Sequence, residues 1–191
     1  MLVKLFSSNS RTKLLSLFLF GSGKEFHLRE IAGLIEVTPI YVSKELSNLV
    51  DLGILNNSRR ANLSIYSLNE KCIFLNELKE LFIKTDFLGE LIKKELQGKA
   101  DYCFIFGSFA KGIESDSSDI DLFVVSEMNE DDLIRLIQKL EKRVKREINY
   151  VLWKKKTFLN KAKDNALLKT IKKGKIIMLI GDEDEFRKQI K

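Results

Sequence analysis

A glycine–serine turn and a pair of aspartates, each attached to an apolar run, constrain this chain more than any other feature. The stretch runs Phe104-Ile-Phe-Gly-Ser-Phe-Ala-Lys-Gly-Ile-Glu-Ser-Asp-Ser-Ser-Asp-Ile-Asp-Leu-Phe-Val-Val125. Residues 102–106 form a short aromatic-rich run, which predicts a buried strand. Gly107 allows a sharp turn and lets a ligand approach the backbone closely. A single helical turn is predicted over residues 109–111, so the first half of the stretch predicts strand, turn and helix start.

The second half of the stretch predicts a strand that carries two carboxylates on one face. Residues 115–118 are polar and indicate a loop, whereas residues 120–125 are apolar and indicate a strand. Because strand side chains alternate, Asp119 and Asp121 are expected to point the same way. Parallel carboxylates repel unless a cation lies between them, and Mg²⁺ prefers such oxygen ligands together with phosphates. The free N–H groups of the helix start beside Ser108 suit phosphate oxygens.

The pattern G-S-x10-D-x-D, with a serine just before the first Asp, resembles the DNA polymerase β-type nucleotidyltransferase superfamily. It is most similar to the small, minimal nucleotidyltransferases that many microbial genomes encode, over about residues 85–181. The resemblance implies that Asp119 and Asp121 hold Mg²⁺ (or Mn²⁺) and that a nucleoside triphosphate (NTP) donates its nucleoside monophosphate to a hydroxyl acceptor. The nucleotide-binding residues that it implies are Gly107, Ser108, Lys111 and Ser118. The alternative is a glycine turn followed by a solvated acidic loop.

One position departs from the pattern of that superfamily. Its full site uses a third carboxylate on a later strand, and the matching strand here covers residues 147–153. Alternation buries Ile148 and leaves Glu147 and Asn149 on the other face. Asn149 falls where the third Asp is expected, and asparagine cannot take a proton. Glu147 is the possible substitute. The candidate catalytic residues are Asp119, Asp121, Glu147 and Asn149.

Length and composition predict a globular protein of one or two small domains. The chain has 191 residues, of which 45% are hydrophobic and 31% charged. No apolar run approaches the roughly 20 residues that a membrane span needs. Cys72 and Cys103 lie far apart among apolar neighbours and are expected to be buried thiols. These features predict a cytoplasmic protein with no signal peptide.

Charge is distributed unevenly along the second half of the chain. Residues 114–132 contain eight acids and no base, whereas residues 139–175 contain fourteen Lys or Arg against three acids. An acidic metal-binding region is therefore followed by a basic one. The basic stretch is either a solvated helix face or a surface for a triphosphate, a nucleic acid or an acidic partner. Its strongest candidate segment is Lys154-Lys155-Lys156.

Residues 1–70 follow a different pattern, that of short helices followed by a β-hairpin. Apolar spacing predicts helices over residues 12–20, 28–35 and 39–50, the first ended by Gly21-Ser22-Gly23. Thr38 is expected to cap the third helix, with Pro39 at its first position. A polar turn over residues 57–62 and a strand over 63–68 complete the predicted hairpin. The pattern is typical of a small all-helical core with an attached wing.

The stretch HLREIAGLIEVTPIYVSKELSNLVDLGIL, followed by NNSRRANLSIYSL, resembles the winged helix-turn-helix domains of bacterial and archaeal repressors. The resemblance implies DNA binding, with the third helix in the major groove and the hairpin along the backbone. The DNA-binding residues that it implies are Thr38, Tyr41, Ser43, Lys44, Arg59 and Arg60. A protein-interaction module is the alternative, because the charge of residues 1–68 is only +3.

The remaining elements complete an α+β protein of two domains. Helices are predicted over residues 70–83, 85–96 and 131–144, and a β segment over 176–180. The predicted domains are a winged helix-turn-helix at 1–70, a connecting helix at 71–84 and, at 85–191, a nucleotidyltransferase-type domain with a small mixed sheet. Because repressor-type winged helices commonly dimerise, a homodimer is expected.

Three functions fit these features. The first is a DNA-associated nucleotidyltransferase. The second is a transcriptional regulator whose degenerate nucleotidyltransferase domain senses a nucleotide, which Asn149 favours. The third is an antitoxin-like protein that modifies a protein partner.

Overall fold

The computed structural model describes residues 2–21, 25–112, 118–162 and 164–190, apart from the side chains of residues 86 and 87. The chain divides into two units, Met1–Phe82 and Ile83–Lys191. Among the described helices, none is long and apolar enough to cross a membrane.

The first unit combines a helical core with a small antiparallel sheet. Its elements are α1 Leu2–Phe6, α2 Asn9–Phe20, β1 Phe26–His27, α3 Leu28–Ile35, α4 Pro39–Asp51, β2 Leu55–Arg60, β3 Leu63–Leu68 and α5 Leu75–Phe82. The strands pair in the order β1-β3-β2, all antiparallel. Glu36 ends α3 in the left-handed conformation, at φ 56°, so that the chain turns tightly into α4. This arrangement is the winged helix-turn-helix fold that the sequence predicts.

Local side-chain contacts set the helix starts of this unit. Ser8 caps α2 by accepting the backbone N–H of Arg11 at 3.1 Å. The Nδ1 atom of His27 accepts the N–H of Glu30 at 3.3 Å, and the Glu30 carboxylate accepts the N–H of His27, which completes a capping box. Thr38 occupies the cap position of α4, but its side chain makes no capping hydrogen bond. Thr38 is therefore the cap residue that the sequence predicts, but without a side-chain hydrogen bond; Pro39, which needs no N–H partner, begins the helix.

The hairpin has a shorter turn than the sequence predicts. Strand β2 continues to Arg60, which pairs with Leu63, so that only Ala61 and Asn62 form the turn. Ala61 takes the left-handed conformation at φ 49°. The polar residues after Leu55 are all exposed in β2. A wing strand with both faces in water needs no apolar alternation, and this is why its polar sequence resembled a loop.

The core of the first unit collects the apolar stripes of α2, α3, α4 and α5. The predicted helix over residues 70–83 is shorter, because the chain first turns around Asn69. The Asn69 side-chain amide donates to the Gly53 carbonyl at 2.7 Å, and its backbone N–H donates to the Ile54 carbonyl at 2.9 Å. Helix α5 buries Leu75 and Phe82 in this core.

The second unit begins with a π-helical turn, Ile83–Phe87, and the predicted helix over 85–96 starts only at Gly89. Its further elements are α6 Gly89–Leu96, β4 Ala100–Phe106, α7 Gly107–Lys111, β5 Ile120–Ser126, α8 Glu130–Val144, β6 Ile148–Trp153, α9 Lys155–Lys161, α10 Ala166–Lys173, β7 Ile177–Ile180 and α11 Glu183–Gln189. The sequence did not predict α9, α10 and α11, which are short. Most of the predicted polar loop at 115–118, like residues 22 and 23 of the expected helix end, lies outside the described residues.

The four-stranded sheet is mixed, in the order β6-β5-β4-β7. Strand β4 is antiparallel to β5 and β7, whereas β5 and β6 are parallel because α8 crosses between them. On one face, Phe104 and Phe123 stack with ring centroids 5.1 Å apart, in a cluster that also contains Phe158 of α9 and Phe186 of α11. Asp121, two residues before Phe123, belongs to the same face. The acidic pair is thus on the side of the sheet covered by α9, α10 and α11.

Candidate active site

The turn between β4 and α7 brings the backbone of Gly107 against the carboxylate of Asp121. Gly107 has φ 76°, a conformation that favours glycine. A Cβ atom at this position would overlap the Oδ2 atom of Asp121. Strand pairing is the cause, since Phe106 of β4 lies opposite Asp121 of β5. The missing Gly107 side chain therefore makes the space that the Asp121 carboxylate occupies.

Asp119 and Asp121 interact as the strand alternation predicts. The pKa of Asp121 is raised, first by burial of its carboxyl group and second by the negative charge of Asp119. Both causes disfavour the ionised form, and a cation between the two groups would offset both. The pair therefore carries two negative charges close enough to influence each other.

Asn149 completes this group from the neighbouring strand. Strands β5 and β6 are parallel, with Asn149 beside Asp121 in the register. The Asn149 amide nitrogen donates to Asp119 Oδ2 at 3.2 Å. The structure thus brings Asp119, Asp121 and Asn149 together.

Glu147 does not join them in the same way. Its side chain is exposed, and its backbone carbonyl accepts the N–H of Ile120 at 3.0 Å. In the described parts of the chain, no three Asp, Glu, His or Cys side chains lie together in a group that could hold a metal ion. The catalytic role of Glu147 stays a prediction.

The sequence did not point to Arg146, which links the two halves of the site. Its guanidinium donates to the Ser118 carbonyl at 3.1 Å and lies 5.8 Å from the centroid of the Phe109 ring in α7. Ser118 is therefore held through its backbone, next to Asp119. An arginine two residues before β6 gives no sequence signal for this contact, because both partners lie more than 25 residues away.

The remaining predicted nucleotide-binding residues lie on α7. Ser108 is half-buried beside Gly107, whereas Lys111 is exposed at the other end of the helix. Lys111 lines a shallow depression of about 300 Å³ together with residues of α10. Among the described residues, its lining is Lys111, Lys169, Thr170, Lys173 and Gly174.

Lys154 and Lys155, the strongest basic candidates from the sequence, lie elsewhere. The Lys154 ammonium donates to the Glu127 carbonyl at 2.7 Å, and the Lys155 ammonium pairs with Asp101 at 2.7 Å. These contacts are at the end of β6 opposite Asn149. The two lysines hold the β6–α9 junction and do not face the acidic pair.

The first unit presents a separate polar surface on α4 and the wing. Thr38, Tyr41, Ser43 and Lys44 are exposed, and Tyr41 keeps 67% of its surface accessible. Arg59 is also exposed. Arg60, in contrast, pairs with Glu25 at 2.7 Å. The partner Glu25 was not identifiable from the sequence, because it lies 35 residues earlier.

Comparison with known proteins assigns a family to the second unit. Residues 90–183 match the family described as Polymerase beta, Nucleotidyltransferase. No curated protein matches the chain.

Solved structures show more distant likeness to parts of the chain. Reduced HlyU from Vibrio cholerae N16961 is 20% identical over 44% of this chain and 84% of its own, with a TM-score of 0.36. A toxin–antitoxin crystal structure with AMP-PNP is 20% identical over 54% of this chain and 81% of that one, with a TM-score of 0.40. A mutant of ZitR from Lactococcus lactis in the apo form is 23% identical over 51% of this chain and 86% of its own, with a TM-score of 0.29.

Proposed function

Because residues 90–183 form a nucleotidyltransferase domain of the polymerase β type, we propose that the chain transfers the nucleoside monophosphate of an NTP to an acceptor. One observation carries the proposal: the Asp121 carboxylate lies in the space left by Gly107, with Asp119 beside it. The acceptor group that the sequence pattern implies is a hydroxyl. We propose that the protein works in association with DNA.

The residues at the site fit a divalent metal ion. The negative charge of Asp119 disfavours ionisation of Asp121, and the Asp121 carboxylate occupies the space that the missing Gly107 side chain leaves. Asp119 and Asp121 would hold Mg²⁺ (or Mn²⁺), which when bound neutralises the charge of the NTP phosphates. Gly107 and Ser108 would orient those phosphates, and the Asn149 amide fixes the direction of the Asp119 carboxylate. Their contribution is positioning and charge stabilisation.

Label transfer tests the proposal. The full chain is incubated with Mg²⁺, a cell extract and each of the four NTPs labelled at the α-phosphate. We expect label in one class of acceptor and an equal amount of released pyrophosphate. Label in a protein band would identify the antitoxin-like alternative. Label that remains in the NTP under all conditions would contradict the enzyme proposal.

The pairing of Asn149 with Asp119 makes a specific prediction for catalysis. Asn149→Asp places a third carboxylate beside the acidic pair and supplies a proton acceptor. We expect transfer to a hydroxyl acceptor, such as an oligonucleotide with a free 3′ end, to rise by about 100-fold. The matched variant Glu147→Gln should transfer label at a rate within about twofold of that of the wild type. A loss of tenfold or more in Glu147→Gln would instead make Glu147 the base.

Association with DNA is proposed through the exposed surface of α4 and the wing. Thr38, Tyr41, Ser43 and Lys44 would lie in the major groove, with Arg59 and Arg60 along the phosphates. The support is their exposure on a winged helix-turn-helix fold. We propose that two copies bind together, which sedimentation of the DNA complex would report.

The Arg60–Glu25 ion pair distinguishes the two wing arginines. Arg60 gives up part of its attraction to phosphate because Glu25 already neutralises it. We therefore expect Arg59→Ala to weaken duplex binding by about tenfold at low salt and Arg60→Ala by about twofold. Gel shift on the DNA upstream of the gene measures both, with Lys71→Ala as the equally charged control. Equal losses for the two wing variants would contradict the role assigned to Glu25.

A nucleotide-sensing regulator is the second candidate function, favoured by Asn149 at the position of the third carboxylate. Sensing requires only that the nucleotide bind two states of the protein with different affinity. Its signature is a change in DNA affinity on adding Mg²⁺ and NTP without any label transfer. An NTP-independent gel shift would remove this candidate.

A further inference from the structure

Asp119 lies immediately before β5, so the regular strand pairing holds its backbone on one side only. The strand begins at Ile120, whose N–H donates to the Glu147 carbonyl at 3.0 Å. This bond fixes the peptide group that follows the Asp119 Cα atom. The peptide group that precedes it lies outside the strand and needs a separate partner. Both groups matter, because planar peptides leave two dihedral angles per residue, and these set the direction of the side chain.

Arg146 is the partner of that preceding peptide group. Its guanidinium donates at 3.1 Å to the Ser118 carbonyl, which belongs to the same peptide plane as the Asp119 nitrogen. Because Arg146 and Glu147 are consecutive, one short segment before β6 holds both peptide groups that flank Asp119. Asn149 then directs the carboxylate itself through its 3.2 Å hydrogen bond to Oδ2. Backbone and side chain of Asp119 are thus fixed from the same strand end.

Arg146 also contacts the helix that carries the other half of the site. Its guanidinium carbon lies over the Phe109 ring, 5.8 Å from the centroid, and this ring is buried at 3% exposure. Phe109 follows Ser108 in α7. A planar guanidinium can lie over an aromatic face and donate hydrogen bonds in its own plane at the same time. Arg146 therefore ties the start of β5 to a buried side chain of α7.

We propose that Arg146 is a positioning residue for nucleotidyl transfer, which sets the direction of the Asp119 carboxylate relative to the turn at Gly107. This inference rests on the proposed function, in which the acidic pair holds the metal ion. Arg146 acts through the Ser118 carbonyl and the Phe109 ring and not by contact with the nucleotide. Its removal leaves the turn in place, so it lowers the rate of the chemical step and not the affinity for the NTP.

Steady-state kinetics of label transfer separates positioning from direct phosphate binding. Arg146→Ala should lower kcat by about 30- to 100-fold, since a displacement of about 1 Å in a positioned group costs on the order of 100-fold. KM for the NTP should stay within about threefold of the wild-type value. The control Arg135→Ala removes an exposed arginine of α8 that pairs with Asp132, and it should leave both constants unchanged. A large rise in KM with kcat unchanged would make Arg146 a phosphate ligand and overturn the proposal.

Arg146→Lys distinguishes geometry from charge. Lysine keeps the positive charge and can donate to a carbonyl, but it has no planar group to lie over the Phe109 ring. We expect kcat of Arg146→Lys to remain at least about tenfold below that of the wild type. Full activity in this variant would show that a positive charge alone suffices, which would overturn the assigned geometry.

Amide hydrogen exchange of the metal-free full chain gives a readout that needs no nucleotide. Without Arg146, the start of β5 should open locally. In Arg146→Ala, the Ile120 amide should exchange at least about tenfold faster, whereas the amide of Val124, which lies further along β5, should keep its rate. Neither amide should change in Arg135→Ala. Unchanged exchange at Ile120, or equal acceleration at both amides, would overturn the local role of Arg146.

Failure of the proposed function is separable from failure of this inference. A wild type that transfers label, with the same kcat in Arg146→Ala, would keep the proposed function and remove the positioning role. A wild type that transfers no label would remove the proposed function, and hydrogen exchange at Ile120 then decides whether Arg146 holds Asp119 in place.

Discussion

Replacing Asp119 and Asp121 together by Asn is expected to lower nucleotidyl transfer by at least about 1000-fold. The Asp121 carboxylate lies against Gly107, and Asp119 is close enough to raise the pKa of Asp121. Without them, the site loses the two carboxylates that would bind the metal ion and, through it, the NTP phosphates. Label transfer measures the rate, and calorimetry with Mg²⁺ and NTP measures binding. Both signals should be lost together.

A matched control removes two acids from elsewhere in the same unit. Asp131 and Asp184 are exposed in the first turns of α8 and α11, outside the strands and the turn that form the site. The variant Asp131→Asn/Asp184→Asn should keep transfer within about twofold, since exposed acids at helix starts contribute only about 0.3–1 kcal/mol each to stability. Activity in Asp119→Asn/Asp121→Asn equal to that of this control would refute the proposed metal site.

Replacing Asp121 is expected to lower activity but to raise the stability of the fold. The folded-state pKa of Asp121 is raised, so this group stabilises the fold most at low pH, and that contribution is lost as pH rises through the folded pKa. Asp121→Asn removes the titration. Relative to the wild type, the free energy of unfolding of the variant should therefore improve between pH 4 and pH 7 in metal-free buffer. Inactivity of a variant that is at least as stable cannot come from unfolding.

Gly107→Ala should have the second largest effect. Its added Cβ would overlap Asp121 Oδ2, so the carboxylate must move away from the turn. A displacement of about 1 Å in a positioned group costs on the order of 100-fold in rate. The positive φ of 76° adds a stability cost of about 1–2 kcal/mol for alanine. We expect transfer to fall by at least about 100-fold, with a lower unfolding temperature.

Gly98→Ala separates these two contributions. Gly98 has nearly the same φ, 77°, but no atom lies within 4 Å of where its Cβ would be. This variant should therefore show the stability cost of a left-handed alanine and keep its activity. If both glycine variants retain full transfer, the close approach of Asp121 to the turn has no part in the reaction.

Much of the second unit could be predicted from short-range patterns. The apolar runs, Gly107 and the spacing of Asp119 and Asp121 predicted two strands, a turn and an acidic pair on one face. The structure has β4, α7 and β5 in these places. Such predictions succeed because alternation and glycine conformation act over a few residues.

The wing shows where the same reasoning failed. A polar run was interpreted as a turn, but residues 57–60 belong to β2, because pairing with β3 supplies the backbone hydrogen bonds. Tertiary pairing overrides local preference in strands. The Arg60–Glu25 ion pair arises from the same fold and could not be inferred from either residue.

The sequence by itself determined a glycine turn at the end of one strand and two aspartates on one face of the next, since the periods of backbone structure are local. Only the tertiary structure decided which groups surround them. The Asn149 amide reaches Asp119 across 30 residues, Arg146 reaches Ser118 across 28, and two lysines of α10 line one depression with Lys111. Such contacts depend on strand order and helix packing, which are set by burial of apolar side chains from the whole unit.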